Sequence, residues 1–209
     1  FFKVPAGLQP RMAVWYMFRA LLEILESSGL SDGLIDDLEG SIDLLEAAAA
    51  DWRADVPVRD NLAKQLAEEI AGKTPVIYAG AALSTAAYKW KINFNENAKN
   101  VAFHNSLPEV NHNEMLGWTS HPVDKPFAPV LLRSHLESEQ IAKRFEATKK
   151  LLSGRMPHPL EVQAQGDNVL EHMLWLILLG DFTSIYLGLV NNVDPTEIQL
   201  IERFKDELS

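Results

Sequence analysis

The chain has 209 residues, of which 47% are hydrophobic and 23% charged, with 11 Gly and 11 Pro. This is the composition of a globular domain large enough to bury a core without covalent staples, and it excludes disordered, fibrous and miniprotein classes. Asp and Glu outnumber Lys and Arg 29 to 19, a formal charge of −10, so broad binding to nucleic acid or an anionic membrane would work against the protein's own field. The absence of cysteine removes disulfides, thiolate metal sites and cysteine nucleophiles, and it fits a reducing, cytoplasmic setting.

The chain opens Phe1-Phe2-Lys3-Val4-Pro5, without an initiator Met or a basic segment leading into a long apolar one, which reads as a cut start and not as a signal peptide. From Pro10 to Leu25 a segment apolar nearly all round predicts a buried helix, with Pro at or near its first turn and a stop around Ser27-Ser28-Gly29. Leu34 to Ala50 reads as an acidic amphipathic helix that Gly40 weakens or splits, and Pro57 ends the region. Asp60 is the expected N-cap of a third helix carrying Leu62, Leu66 and Ile70 and closed by Gly72.

After Gly72 the pattern alternates. Thr74 to Gly80 predicts a buried strand, followed by a helix from Leu83 to Phe94, a strand around Val101–Phe103 and a helix from Glu109 to Trp118. A strand at Pro129–Leu132, a helix from Ser138 to Leu152 and a strand at Pro159–Gln163 follow. An apolar helix then runs from Asn168 to Leu189. Its longest apolar stretch, Met173 to Leu179, stops at Gly180 and Asp181, short of the roughly 18 residues of a membrane span, so it reads as a buried helix. A terminal helix is expected from Asp194, with Pro195 first. Strands alternating with helices imply an α/β fold of three layers, αβα, with a mainly parallel sheet preceded by the N-terminal helices.

In open α/β sheets ligands bind outside the carboxyl ends of the strands, which points to the loops near residues 79, 104, 133 and 163. Between Asn93 and Glu114 three carboxylates, two histidines and a run of asparagines crowd beside a strand. That polarity is costly unless the groups bind something or form a solvated loop. Glu96 is the candidate base, with Phe94 as apolar neighbour and Asn95 and Asn97 to orient it; the alternative is an exposed helix end. His112 opens a short helix after a strand, where Glu109 or Asn113 could hold a ring nitrogen, and it reads as a proton-transfer group, a cap or a satisfied core residue.

His104, His112, Glu114 and His121 include zinc-type ligands, but their spacings match no HExxH or other compact motif. There is no GxGxxG, P-loop or GxSxG. Ser84 and Thr85 at a helix start could offer hydroxyls and N–H groups to an anion, or simply cap the helix. Spacing alone singles out neither Arg11 nor Lys205.

Three segments in order, Val4-Pro5-Ala6-Gly7-Leu8-Gln9-Pro10-Arg11-Met12-Ala13, Phe94-Asn95-Glu96-Asn97-Ala98-Lys99 and Leu107-Pro108-Glu109-Val110-Asn111-His112-Asn113-Glu114, carry a resemblance together with Ala87-Tyr88-Lys89, Val193-Asp194-Pro195 and Phe204-Lys205. The chain resembles the bifunctional phosphoglucose/phosphomannose isomerases of the phosphoglucose isomerase superfamily, which are built from two sugar isomerase (SIS) domains. The resemblance implies an SIS-type sheet over residues 73–209 as the C-terminal SIS domain, preceded by a helical linker region over 1–72, with the N-terminal SIS domain and its Ser/Thr-rich phosphate-binding turns absent.

It further implies aldose–ketose isomerisation of glucose 6-phosphate or mannose 6-phosphate to fructose 6-phosphate through a cis-enediol. Glu96 would move the proton between C1 and C2, His112 would assist ring opening, Arg11 would stabilise the enediolate, and Lys205 would lie near the substrate oxygens. Ser84, Thr85 and Thr196 are the further substrate-binding candidates. The family places a Thr on the terminal helix, where an ungapped count back from Lys205 lands on Ile198. The resemblance implies no metal or other cofactor, a phosphorylated hexose as ligand, and a homodimer in which the histidine reaches the site from the partner subunit. The 209 residues alone are then expected to be inactive. The other reading is a non-catalytic SIS-domain sugar-phosphate-binding or regulatory protein.

Overall fold

The structure, a computed structural model, describes residues 3–120 and 126–208. It divides into two units, one ending at Ala47 and the other beginning at Ala48. In the first, the backbone from Gln9 to Ala13 forms successive turns, with the Met12 and Ala13 N–H groups donating to the Gln9 carbonyl at 2.8 and 3.1 Å. Helix α1 (Val14–Ser27) begins only after them. Pro10 therefore precedes the helix instead of lying in its first turn.

Nor is α1 a buried helix. Leu22 is its one buried residue, while Tyr16, Met17, Leu21 and Ile24 are about half exposed. A helix that is apolar all round needs cover on every side, and in its unit α1 packs against α2 (Leu34–Gly40). Arg19 ties the two by pairing with Glu23 at 2.8 Å and Glu39 at 3.0 Å. Gly40 does split the acidic segment: α2 ends there, Ser41 donates its hydroxyl to the Leu38 carbonyl, and α3 (Ile42–Asp51) follows.

The second unit holds the sheet. Its first full helix, α4 (Leu62–Ile70), is capped by Asn61 and not by Asp60. The Asn61 side chain accepts the Lys64 N–H at 3.1 Å while its amide donates to the Arg53 carbonyl. Asp60 instead closes a short 3-10 turn, Val58–Asp60. Four strands follow: β1 (Thr74–Gly80), β2 (Phe103–Leu107), β3 (Phe127–Arg133) and β4 (Leu160–Gln163), all parallel, in the order β2-β1-β3-β4.

The two central strands are buried almost throughout and read as continuous apolar runs, whereas the edge strands alternate or stay polar. This explains why β2 lies further along than expected. Its sequence, Phe-His-Asn-Ser-Leu, reads as loop, but an edge strand faces solvent along one side and tolerates such residues.

Helix α5 (Ser84–Glu96) returns along the sheet after β1. Beyond β2 comes one wide π turn, Val110–Glu114, running directly into the short α6 (Met115–Gly117). Helix α7 (Glu139–Leu151) is capped by the Ser138 hydroxyl, and α8 (Val169–Val190) by Asn168, whose side chain accepts the Glu171 N–H at 2.9 Å. The terminal helix α9 (Gln199–Glu207) starts five residues later than Asp194. There the Asp194 carboxylate accepts from the backbone and hydroxyl of Thr196 and closes a turn instead of starting a helix.

Helices α4, α5 and α8 pack together on one face of the sheet. On the other, Phe145 of α7 joins Leu152 and Met156 against Val76 and Tyr78 of β1, Leu131 of β3, Val110 and Trp118. The result is the expected αβα sandwich. Helix α8 is long and apolar enough to cross a membrane by composition, yet 61% of its most apolar window is buried and it serves as a core helix between α4 and α5.

The tightest packing lies where α5 meets α8. The Trp90 indole N–H donates to the Leu176 carbonyl at 2.6 Å, and the ring lies so close to Gly180 that a Cβ there would sit 2.5 Å from it. We expect Gly180→Ala to destabilise the chain by about 3 kcal/mol, the upper range for overpacking, measured as a shift in the urea midpoint. An unchanged midpoint would show that the indole yields.

Candidate functional site

Glu96 is the last residue of α5, and its position follows from the length of that helix. The helix starts beside Gly80, at the carboxyl end of β1, and runs back to the amino end, where the Asn100 amide donates to the Lys73 carbonyl just before β1. Here Glu96, Asn95, Lys99 and Val101 line a cavity of about 580 Å³ together with Glu197–Ile201 from the start of α9. Lys99, held at φ +52°, bridges the two walls by donating to the Glu96 carbonyl at 2.6 Å and the Glu197 carbonyl at 2.7 Å.

His112 stands elsewhere. It lies in the π turn after β2, whose last residue Leu107 is in register with Gly80. Glu96 and His112 therefore occupy opposite ends of the same sheet. His112 lies at the carboxyl ends of the strands and Glu96 does not, because a helix packed antiparallel to β1 carries its last residue to the other end.

Beneath Glu96 the α5–α8 contact is polar. Lys89 Nζ pairs with the Asp181 carboxylate at 2.8 Å and donates to Asn93 Oδ1 at 2.7 Å, and the Asn93 amide also donates to Asp181. All three are buried. One turn on, the buried Asn97 amide donates to Ser184 Oγ at 2.9 Å, and a Cβ at Gly188 would lie 2.8 Å from the Asn97 carbonyl.

The asparagines between 93 and 114 are engaged within the fold. Asn95 accepts the Ala102 N–H, Asn105 donates to Glu114, Asn111 to Thr148 and Asn113 to Glu109. Glu109 and Asn113 bond each other instead of the His112 ring, which is exposed. Phe94 is fully buried, edge-on to Trp90.

Ser84 is the first residue of α5, but the cap position is Leu83 and the Ser84 hydroxyl donates to the Ala81 carbonyl, so it does not cap the helix. It adjoins a crevice of about 210 Å³ between the carboxyl ends of β1 and β3, lined by Gly80–Leu83, Ser134 and Ser138. Thr85 is exposed. Thr196 sits in the Asp194 turn, next to the wall of the Glu96 cavity, while Lys205 lies further along α9 and pairs with Glu202 at 2.9 Å. Arg11 belongs to the first unit, where it is buried in the turns before α1. Among the described residues no three His, Asp or Glu side chains gather as a metal site; His121 lies outside the described residues.

Sequence reasoning missed the buried Lys89–Asp181 pair and the His172 ring, fully buried between the Ser134 hydroxyl at 2.7 Å and the Gly166 carbonyl at 3.0 Å. A signal existed for the first: Asp181 is a lone charge deep in an apolar helix, and such a charge needs a partner.

A parallel sheet covered by helices on both faces is the αβα architecture of an SIS-type domain. Residues 59–208 match the family model of the bacterial phospho-glucose isomerase C-terminal SIS domain, and the chain belongs to that family. It is 33% identical over 208 residues to a bifunctional phosphoglucose/phosphomannose isomerase of Caldicellulosiruptor bescii, covering 99% of this chain and 61% of that protein. It is 27% identical to a D-glucosamine-6-phosphate 4-epimerase of Sulfolobus acidocaldarius, over 97% of this chain and 58% of that one. A glucose-6-phosphate isomerase-like protein from Thermus thermophilus superposes with a TM-score of 0.75 at 25% identity, over 94% of this chain and 66% of that one. The chain thus spans about three fifths of the length of the curated relatives it matches.

Lys89→Met leaves the Asp181 charge buried without its cation and should cost about 3–5 kcal/mol, whereas Lys89→Met with Asp181→Leu should recover most of it; urea unfolding of both variants and the parent chain compares them. His104, tilted against Tyr88 with ring centroids 4.9 Å apart, titrates below the usual histidine range, because desolvation and then the Lys91 charge disfavour its protonated form. Its neutral form is therefore favoured in the fold. That contribution to stability is complete above the unfolded value of about 6.5 and lost as pH falls toward the folded one. An NMR titration midpoint for His104 at or above the unfolded value would contradict this.

Proposed function

We propose that this chain is the C-terminal portion of an isomerase that interconverts glucose 6-phosphate or mannose 6-phosphate with fructose 6-phosphate through a cis-enediol. The observation that carries the reading is Glu96 in its Phe-Asn-Glu-Asn-Ala-Lys segment, at the wall of a cavity closed on its other side by the segment that leads into Lys205. The names of the relatives support the substrate class.

Once the sugar is open, the Glu96 carboxylate takes the proton from C2 and the C–H electron pair forms the C1=C2 double bond. The carbonyl oxygen then carries the negative charge and is protonated to the enediol. Loss of the O2 hydroxyl proton rebuilds a carbonyl at C2 as Glu96 returns a proton to C1. A carboxylate suits both steps, since it can take and return one proton on one face of the enediol. The developing oxyanion needs a fixed cation, a role that the resemblance gives to Arg11, with Lys205 close to the substrate oxygens.

One copy cannot bring His112 to its own Glu96 across the length of the sheet. The same reading therefore makes the enzyme a homodimer, each site taking His112 from the partner subunit, and places the phosphate-binding turns in a further SIS domain within the remaining length of the protein. The enzyme works in the cytoplasm and without a metal.

In the full-length protein, Glu96→Gln should lower turnover by ~10²–10⁴, the usual worth of positioned proton transfer, and ketose formed in D₂O by the wild type should carry deuterium at C1. Near wild-type turnover in the variant would sink the base assignment. The isolated 209 residues should not isomerise hexose 6-phosphates; robust activity of that chain would refute the division of the site.

A further inference from the structure

The π turn that carries His112 is held at every residue around the histidine. Val110 is buried among Tyr78, Leu107, Leu131 and Phe145. Asn111 donates to Thr148 Oγ1 at 2.7 Å and accepts from Arg144. Asn113 is bonded to Glu109. Glu114 is held at both carboxylate oxygens, one accepting the Tyr78 hydroxyl and the other the Asn105 amide at 2.6 Å. Tyr78 lies in the middle of β1 at 1% exposure, and its oxygen also accepts the Trp118 indole N–H at 3.0 Å. The hydroxyl is thereby fixed, since with the indole occupying one lone pair its proton is directed at Glu114.

Such an arrangement has a purpose beyond packing. The π helix is rare and occurs mostly as a single turn, frequently at functional sites. Here a buried phenol donating to a carboxylate anchors the end of the turn, and charge-assisted bonds of this kind are about twice as strong as neutral ones. Burial and the neighbouring Glu114 carboxylate push the Tyr78 hydroxyl above its ordinary range, so at neutral pH it keeps its proton and donates. Among the side chains of the turn, His112 projects to solvent from a base anchored on β1, β2 and α7.

We propose that Tyr78 and Glu114 are positioning residues for His112, the Tyr78–Glu114 hydrogen bond setting the direction in which the imidazole leaves the carboxyl end of β2. This rests on the reading of His112 as the ring-opening group. Its effect is therefore on the step that opens the sugar ring and not on the proton transfer at Glu96. Tyr78→Phe keeps the ring in the core and deletes only the hydroxyl; Glu114→Ala deletes the acceptor.

Two measurements test it. In the full-length protein, NMR exchange between the α and β anomers of glucose 6-phosphate reports ring opening separately from isomerisation. Tyr78→Phe and Glu114→Ala should slow catalysed anomer exchange about tenfold, and combining them should slow it no further. In the 209-residue chain, the His112 imidazole resonances should shift or broaden in Tyr78→Phe while those of the distant His172 stay in place. Unchanged anomer exchange with an unmoved His112 signal would overturn the proposal, as would a shift of every histidine signal together, which marks general loosening. His112→Ala separates the two layers. If it leaves anomer exchange at the wild-type rate, the ring-opening role falls, and the His112 resonance alone decides whether the Tyr78–Glu114 bond holds the turn.

Discussion

The Lys89–Asp181 pair, with Asn93 between them, is the contact on which the placement of the candidate base depends. Two charges brought out of water cost several kcal/mol each, and their attraction repays this only in one geometry with the remaining donors and acceptors satisfied. Asn93 satisfies that condition by accepting from Lys89 and donating to Asp181. The pair therefore tolerates little sliding or rotation of α5 on α8. Trp90 meets Gly180 one residue away from each partner, so apolar and polar parts of the contact specify the same register. Beyond the clamp Asn97 and Asn191 continue the attachment, the latter by donating to the Ala98 carbonyl, and Glu96 lies between the two anchorages.

A second constraint is purely geometric. The thirteen residues of α5 advance about 20 Å, and the helix uses that distance to carry the chain from the carboxyl end of β1 to its amino end. Any group at the end of α5 is separated from any group in the turn after β2 by the length of the strands. The proposed mechanism, which needs both at one substrate, therefore draws them from different copies. The symmetry so proposed is the ordinary one for a two-fold dimer, in which residue i of one copy meets residue j of the other and the reverse holds at a second site.

The alternation of strands and helices was readable because central parallel strands are apolar runs and their covering helices carry clear caps; Ser138 and Asn168 fall where their residue types put them. Sequence and structure part where local signals compete. Asp60 and Asn61 are both good caps, and the helix takes the one whose amide also reaches the Arg53 carbonyl. Asp194-Pro195 is a helix-start signal that a Thr two residues on converts into an Asx turn. β2 was hidden because edge position, a tertiary property, decides whether His-Asn-Ser can be strand. Glu96 and His112 were legible as motif residues, but their separation was not, since it depends on the direction in which α5 lies on the sheet. The Tyr78–Glu114 bond links residues 36 apart, and no local pattern announces it.

The polar density between 93 and 114 has a different meaning from the one its composition suggests. Each asparagine there holds a backbone group or another side chain, and being neutral it does so without adding charge to a chain already at −10. Aspartates at the same positions could accept hydrogen bonds but not donate them, and they would set like charges beside Glu96, Glu109 and Glu114. Amides thus allow two short segments to be fixed closely while the carboxylate and the imidazole between them keep their own chemistry. Rigidity of the support and freedom of a reactive group are separate requirements, and here different residue types suit them: asparagine in the framework, Glu96 and His112 as the candidate groups it carries.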